Sequence, residues 1–229
     1  MAVIHRTTLT PTKLELLATW LPTQPWYLGG ADAKPELTRT GGFRLDDPTG
    51  AVGIEFMLTT DTSGDEPVTY QVPFTYRGAP LDGAGDDALI GTTEHGVLGK
   101  RWVYDGTHDP VLVAQLVALM AGAAVPQEQS LSNTPDPTVE GHFTGAEHPV
   151  ATGIEAVTSD PDGTGVRVRT SNTSGPGLTL HINRVVRPGQ DASAQDLGRV
   201  TGDLPLPDGT KARTLFAAVR ETGSGPTAA

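Results

Sequence analysis

Between Val111 and Ala121 only Gln115 is polar, and a helix that is apolar nearly all round must be buried on several sides. Asp109 can cap this helix and Pro110 can take its first position, where the missing N–H costs nothing. Ahead of it, Arg101 to Tyr104 (RWVY) has the aromatic and β-branched character of a strand, and Asp105-Gly106 turns the chain. The stretch Gly91 to Gly122 therefore reads as strand, turn and buried core helix, about which sheets must pack. At about eleven apolar residues the helix is too short to span a membrane.

The clearest period-two signal is Val68, Tyr70, Val72, Phe74 and Tyr76, alternating with Thr69, Gln71, Pro73 and Thr75. Pro73 lacks a ladder donor, so this strand is expected at a sheet edge or at a bulge. Further strands are expected over Ala2–Arg6, Glu36–Asp46, Val52–Asp61 and Ala88–Thr93. A helix is expected from a Thr10-Pro11 start to about Thr19. The first half thus predicts an α+β arrangement, a curved antiparallel sheet packed on helices. Ala121 to Pro137 holds three prolines and no apolar periodicity, which predicts a linker. Beyond it, strands are expected over Val150–Thr158, Gly165–Thr170 and Gly177–Val186, with a turn at Asp160-Pro161-Asp162-Gly163. Asp203 to Lys211 reads as a segment broken by prolines and a turn. Thr214–Glu221 reads as a strand or a short helix. The expected division is residues 1–125, a linker over 126–138, a smaller mostly-β domain over 139–221 and a tail over 222–229.

The absence of cysteine excludes a disulfide framework and thiolate metal sites, and fits the cytoplasm. MAVIHRTTLT has no apolar core of the kind a secretory signal needs. With 27 acids against 16 bases, a net charge of −11, the chain is poorly suited to nonspecific nucleic-acid binding. None of His5, His95, His108, His142, His148 and His181 has helix-type metal spacing, so no metal site is expected. Glu94 and His95 are neighbours on a strand and point to opposite faces, so they predict no acid–base dyad. Arg167 and Arg169 share a strand face that could hold an anion or simply be solvated.

Two long motifs carry a resemblance. GTTEHGVLGKRWVYDGTHDPVLVAQL, from Gly91, and VIHRTTLTPTKLELLATWLPTQPWYLG, from Val3, resemble the N-terminal cap of actinobacterial maltokinases, over roughly residues 1 to 135. A shorter segment, SNTSGPGLTLHINRVVRPG, is similar to part of the kinase N-lobe that follows the cap in those enzymes. There the family's nucleotide lysine falls on His181, which cannot be a permanent cation because the reference pKa of histidine is about 6.5. Phosphoryl transfer also needs acidic Mg²⁺ ligands and a group that positions the attacking hydroxyl. No catalytic loop or metal-binding motif of the kinase type is visible, and His108-Asp109-Pro110 is better read as a helix cap. The resemblance therefore implies no catalytic residues and no cofactor. It implies a cap-like, degenerate-kinase protein that binds or regulates a protein partner, in trehalose or α-glucan metabolism. Trp26, Tyr27 and Trp102 would be its contacts if exposed, since aromatics anchor interfaces. The alternative is half of a split sugar kinase, or a degenerate phosphotransferase, that takes ATP with magnesium near Ser171, Thr173, His181 and Arg184. A carbohydrate-binding module would need an aromatic sheet face; Val72 and Phe74 between Tyr70 and Tyr76 argue for a core face instead.

Overall fold

The structure, a computed structural model, describes residues 7–30, 34–145, 148–171 and 177–223. The expected strand over Ala2–Arg6 lies outside them. The first sheet takes its strands from β1 (Leu9–Thr10), β2 (Leu37–Asp46), β3 (Gly53–Asp61), β4 (Val68–Arg77), β5 (Leu89–His95), β6 (Gly99–Asp105) and β7 (Gln127–Glu128), in the order β1-β5-β6-β4-β3-β2-β7. The second sheet is built from β8 (Glu140–Phe143), β9 (Ala151–Asp160), β10 (Gly163–Thr170), β11 (Leu178–Ile182), β13 (Gly198–Pro205) and β14 (Lys211–Glu221), in the order β8-β13-β14-β11-β10-β9. All the pairings are antiparallel. Between β11 and β13 the chain returns to the first sheet, where β12 (Val185–Val186) pairs with β4.

Two α-helices stand among the described residues: α1 (Lys13–Trp20) and α2 (Pro110–Met120). The protein is thus mostly antiparallel sheet, with far less helix than an α+β layering implies. The buried helix is where its sequence predicts it. Asp109 caps α2, accepting from the Val111 N–H at 2.9 Å, and Pro110 is its first residue. Leu112, Val113, Leu116, Leu119 and Met120 join a core with Phe43, Ile54 and Phe56 of the first sheet and Val166, Leu180 and Phe216 of the second. So α2 lies between the sheets. On the outer face of the first sheet, Leu17 and Trp20 of α1 pack with Trp26, Met57, Tyr70, Val72 and Phe74. A strand covered on both faces needs apolar residues at both parities. Accordingly Phe56 and Leu58 of β3 face one core while Met57 faces the other.

Four expectations change. The start of α1 is capped by Thr12, not Thr10, because Glu15 completes a capping box: the Glu15 N–H donates to Thr12 Oγ1 at 3.3 Å, and the Thr12 N–H donates to Glu15 Oε2 at 2.7 Å. β4 is central rather than an edge. Pro73 is tolerated because along that side β12 pairs with Thr69 and Tyr70 and β6 begins only at Phe74. The Gln71 N–H donates to Arg184 O on this side at 2.8 Å; two residues on, the position without an N–H falls in the gap between the two partners. β13 was not expected as a strand; of the two readings open for Thr214–Glu221, the strand is the one found. Residues 126–138 are more than a linker. They contribute β7, which pairs Gln127 and Glu128 with Arg44 and Phe43, while Arg44 donates to Glu128 O at 3.0 Å and Leu131 O at 3.1 Å.

Candidate functional site

The short link between β11 and β12 carries Asn183 and Arg184 into the junction of the two sheets. Gln71 of β4 meets it there, its Nε2 donating to Asn183 O at 3.0 Å and to Phe216 O at 2.9 Å. The Arg184 side chain is completely buried. Its Nη2 donates to Asp105 Oδ2 at 2.5 Å and to Thr107 Oγ1 at 3.2 Å, and its Nε donates to Thr164 Oγ1 at 2.8 Å. The guanidinium lies 5.0 Å from the centre of the Trp26 ring, a cation–π distance. Burial pushes the Arg184 pKa down and Asp105 pulls it back only in part. Asp105 is held in turn by the Thr107 N–H, which donates to its Oδ1 at 3.1 Å.

The other residues singled out in the sequence are spread over the molecule. Trp26 is fully buried and Tyr27 half-buried. The Tyr27 hydroxyl donates to Asp61 at 2.9 Å; burial and that carboxylate push its pKa up to about 12. Trp102 is half-exposed on β6, with Lys100 Nζ 5.0 Å from its ring centre. His181 pairs across the sheet with Gly165 and Ala218, and burial together with Arg220 moves its pKa below the usual value, favouring the neutral ring. Ser171 is exposed just past the end of β10, six residues after Gly165, which is about 20 Å along a strand. Thr173 lies outside the described residues. The structure therefore brings Arg184 and Trp26 together and does not gather Ser171, His181 and Arg184 around one point. His95 shapes a hairpin, its Nδ1 accepting from the Val97 N–H at 3.2 Å and the Leu98 N–H at 3.1 Å. Among the described residues no three His, Cys, Asp or Glu side chains are placed to hold a metal. None of the described helices is long and apolar enough to cross a membrane.

A second polar centre was not visible in the sequence. Glu55 of β3 is only 4% exposed. Lys13 Nζ donates to its Oε2 at 2.6 Å, the Tyr76 hydroxyl donates to the same oxygen at 2.8 Å, and Gln129 Nε2 donates to Oε1 at 2.7 Å. Burial pushes this carboxyl up, but the three donors outweigh it and its pKa ends below the ordinary value. Glu55 lines an open cleft of about 560 Å³ together with Lys13, Arg44, Asp47, Tyr76 and Arg101. The signal was a charged residue inside the apolar run Ile54–Leu58, which marks a buried acid needing partners. The partners themselves come from β4, from the first turn of α1 and from the segment after β7.

With the geometry in place, the family comparison is specific. Residues 20–109 match the family model for the maltokinase N-terminal cap domain. The matched span runs from the end of α1 through β6 to the capping residue of α2, so it takes in Trp26, Glu55 and Asp105. Over that span the chain resembles the cap domain, as its motifs predict.

Proposed function

We propose that this is a non-catalytic, cap-like protein that works by binding a protein partner, and that the partner is an enzyme of trehalose or α-glucan metabolism. One observation carries the non-catalytic part. Arg184, the one permanent cation among the residues expected near a nucleotide, is spent on Asp105 and Trp26 in the junction of the sheets. Drawing the guanidinium away to a phosphate would leave Asp105 buried without its counter-charge, which costs several kcal/mol. His181, whose burial and whose neighbour Arg220 lower its pKa and so disfavour the cation, does not replace it. For the partner, the half-exposed Trp102 and Tyr27 remain available. Val97 and Leu98, exposed by 61% and 46% at the β5–β6 turn, add an apolar tip.

Calorimetric titration of the purified chain with Mg-ATP tests the first part. No binding up to millimolar nucleotide is expected at the kinase-like positions; saturable binding that survives Arg101→Gln in the Glu55 cleft would overturn the non-catalytic reading and favour the split kinase. Co-elution of the chain with trehalose synthase or an α-glucan enzyme from the same genome tests the second. Separate elution from all of them would remove the metabolic assignment.

A further inference from the structure

The cleft around Glu55 has a charge balance that its own fold does not explain. It contains two carboxylates, and both are committed. Asp47 accepts from the Thr49 N–H, Thr49 Oγ1, the Ala51 N–H and the Val52 N–H at 2.7–2.9 Å. Glu55 accepts from Lys13, Tyr76 and Gln129. It also contains three permanent cations, Lys13, Arg44 and Arg101. Lys13 is paired with Glu55, but neither arginine is in an ion pair among the described residues.

The two arginines are held in place by backbone carbonyls, with Asp46 and Glu55 as charge neighbours of Arg44. Arg44 is 7% exposed, and the carbonyls of Glu128 and Leu131 fix its guanidinium through Nε and Nη2. Arg101 donates from Nη2 to Leu98 O at 2.8 Å, and its Nε is buried with no acceptor. A buried charged donor without a partner is costly to leave. In a chain of net charge −11, three permanent cations against two carboxylates leave this concave wall net positive. The volume is that of a small-molecule site, and Leu9, Val52 and Tyr76 supply apolar wall beside the polar groups.

We propose that this cleft binds a small metabolite carrying an oxyanion group, a phosphate or a carboxylate, between Arg101, Arg44 and Lys13. Guanidinium matches either group through paired N–H donors. Of the committed carboxylates, Glu55 positions Lys13 and Asp47 holds the loop over residues 49–52, rather than competing with the ligand. The site is independent of the partner-binding reading, because it needs neither a nucleotide nor a second protein.

Titration calorimetry on the full chain with inorganic phosphate, and separately with citrate, tests it and distinguishes the two sources of the oxyanion. Saturable binding of one probe is expected, weakened roughly tenfold or more, about 1.4 kcal/mol, by Arg101→Gln. Arg167→Gln, on the exposed face of β10, should leave it unchanged. Gly50→Asp gives a second variant that leaves Arg101 in place. It puts a carboxylate at the cleft, at a backbone φ of +73° with open space around it, a conformation aspartate tolerates, and it should weaken binding in the same way. No saturable binding of either probe, or equal weakening by Arg101→Gln and Arg167→Gln, would overturn the proposal.

Discussion

Arg184 and Trp26 stand 158 residues apart in the chain, yet the guanidinium of one lies 5.0 Å from the ring centre of the other. The contact couples the outer-face cluster of the first sheet to the link between β11 and β12, and Asp105 completes it with an ion pair excluded from solvent. The residue that a kinase-like reading places at a nucleotide is, in this fold, a bolt between sheets.

If so, stability rather than ligand affinity is what Arg184 controls. Arg184→Met should cost about 3–5 kcal/mol, because it leaves Asp105 buried and unpaired. Pairing it with Asp105→Asn should recover part of that loss, since the uncompensated charge is then gone. Urea denaturation of the two single variants and the double variant measures the coupling. Strict additivity would mean that the two side chains do not act as a pair.

Asp109 serves two partners at once. It caps α2, and both its oxygens accept from Arg77, from Nε at 2.6 Å and from Nη2 at 2.7 Å. Asp109→Asn keeps an acceptor for the Val111 N–H but loses the ion pair, whereas Asp109→Ala loses both. Thermal melts should therefore rank the alanine variant below the asparagine variant by about 1 kcal/mol, the ordinary value of a cap. Equal melting temperatures would show that the cap contributes nothing here.

Acid should loosen the protein through Glu55. Its folded pKa lies below the ordinary 4.5, so its ionised form is favoured by folding. That contribution is complete above pH 4.5 and is lost as the pH falls from there through the folded value. Asp47 and Asp61 are lowered in the same sense. Urea midpoints followed downward from neutral pH should fall less steeply in this window for Glu55→Gln than for the wild type. Identical slopes would show that Glu55 is not among the groups that titrate with unfolding.

At Gly141, β8 runs directly against the backbone at the end of α2. A Cβ there would stand 2.1 Å from the Leu119 carbonyl oxygen, and backbone cannot swing aside as a side chain can. Gly141→Ala should cost about 1–3 kcal/mol, as overpacking does, read from the chemical denaturation midpoint. An unchanged midpoint would mean that β8 can lift from the helix freely.

The elements that read well from sequence are those whose residues state their environment locally. The alternation in β4 and the Asp109-Pro110 start of α2 depend only on near neighbours. β13 is not legible in the sequence because two of its four buried positions are Gly198 and Gly202, where the rings of Phe143 and Phe216 occupy the space a side chain would take. Glycines at core positions erase the period-two signal. The segment after α2 reads as a linker because its prolines are local, while the pairing of β7 with β2 bridges more than eighty residues. Arg184 and Glu55 were opaque for a different reason. A charged residue reads as solvated unless its counter-charge is known, and Asp105 and Lys13 lie 79 and 42 residues away.

The return of β12 to the first sheet also fixes an order in time. Gln71 reaches Asn183 across 112 residues, so β4 leaves the ribosome long before its last neighbour exists. At ordinary elongation rates the delay is on the order of ten seconds. During that wait the side of β4 that ends at Pro73 stays open, and Asp105 has no arginine to receive. The span that matches the cap family therefore matures only when the chain beyond it arrives. Transplanted alone as a cassette, residues 20–109 would carry that unfinished side with them.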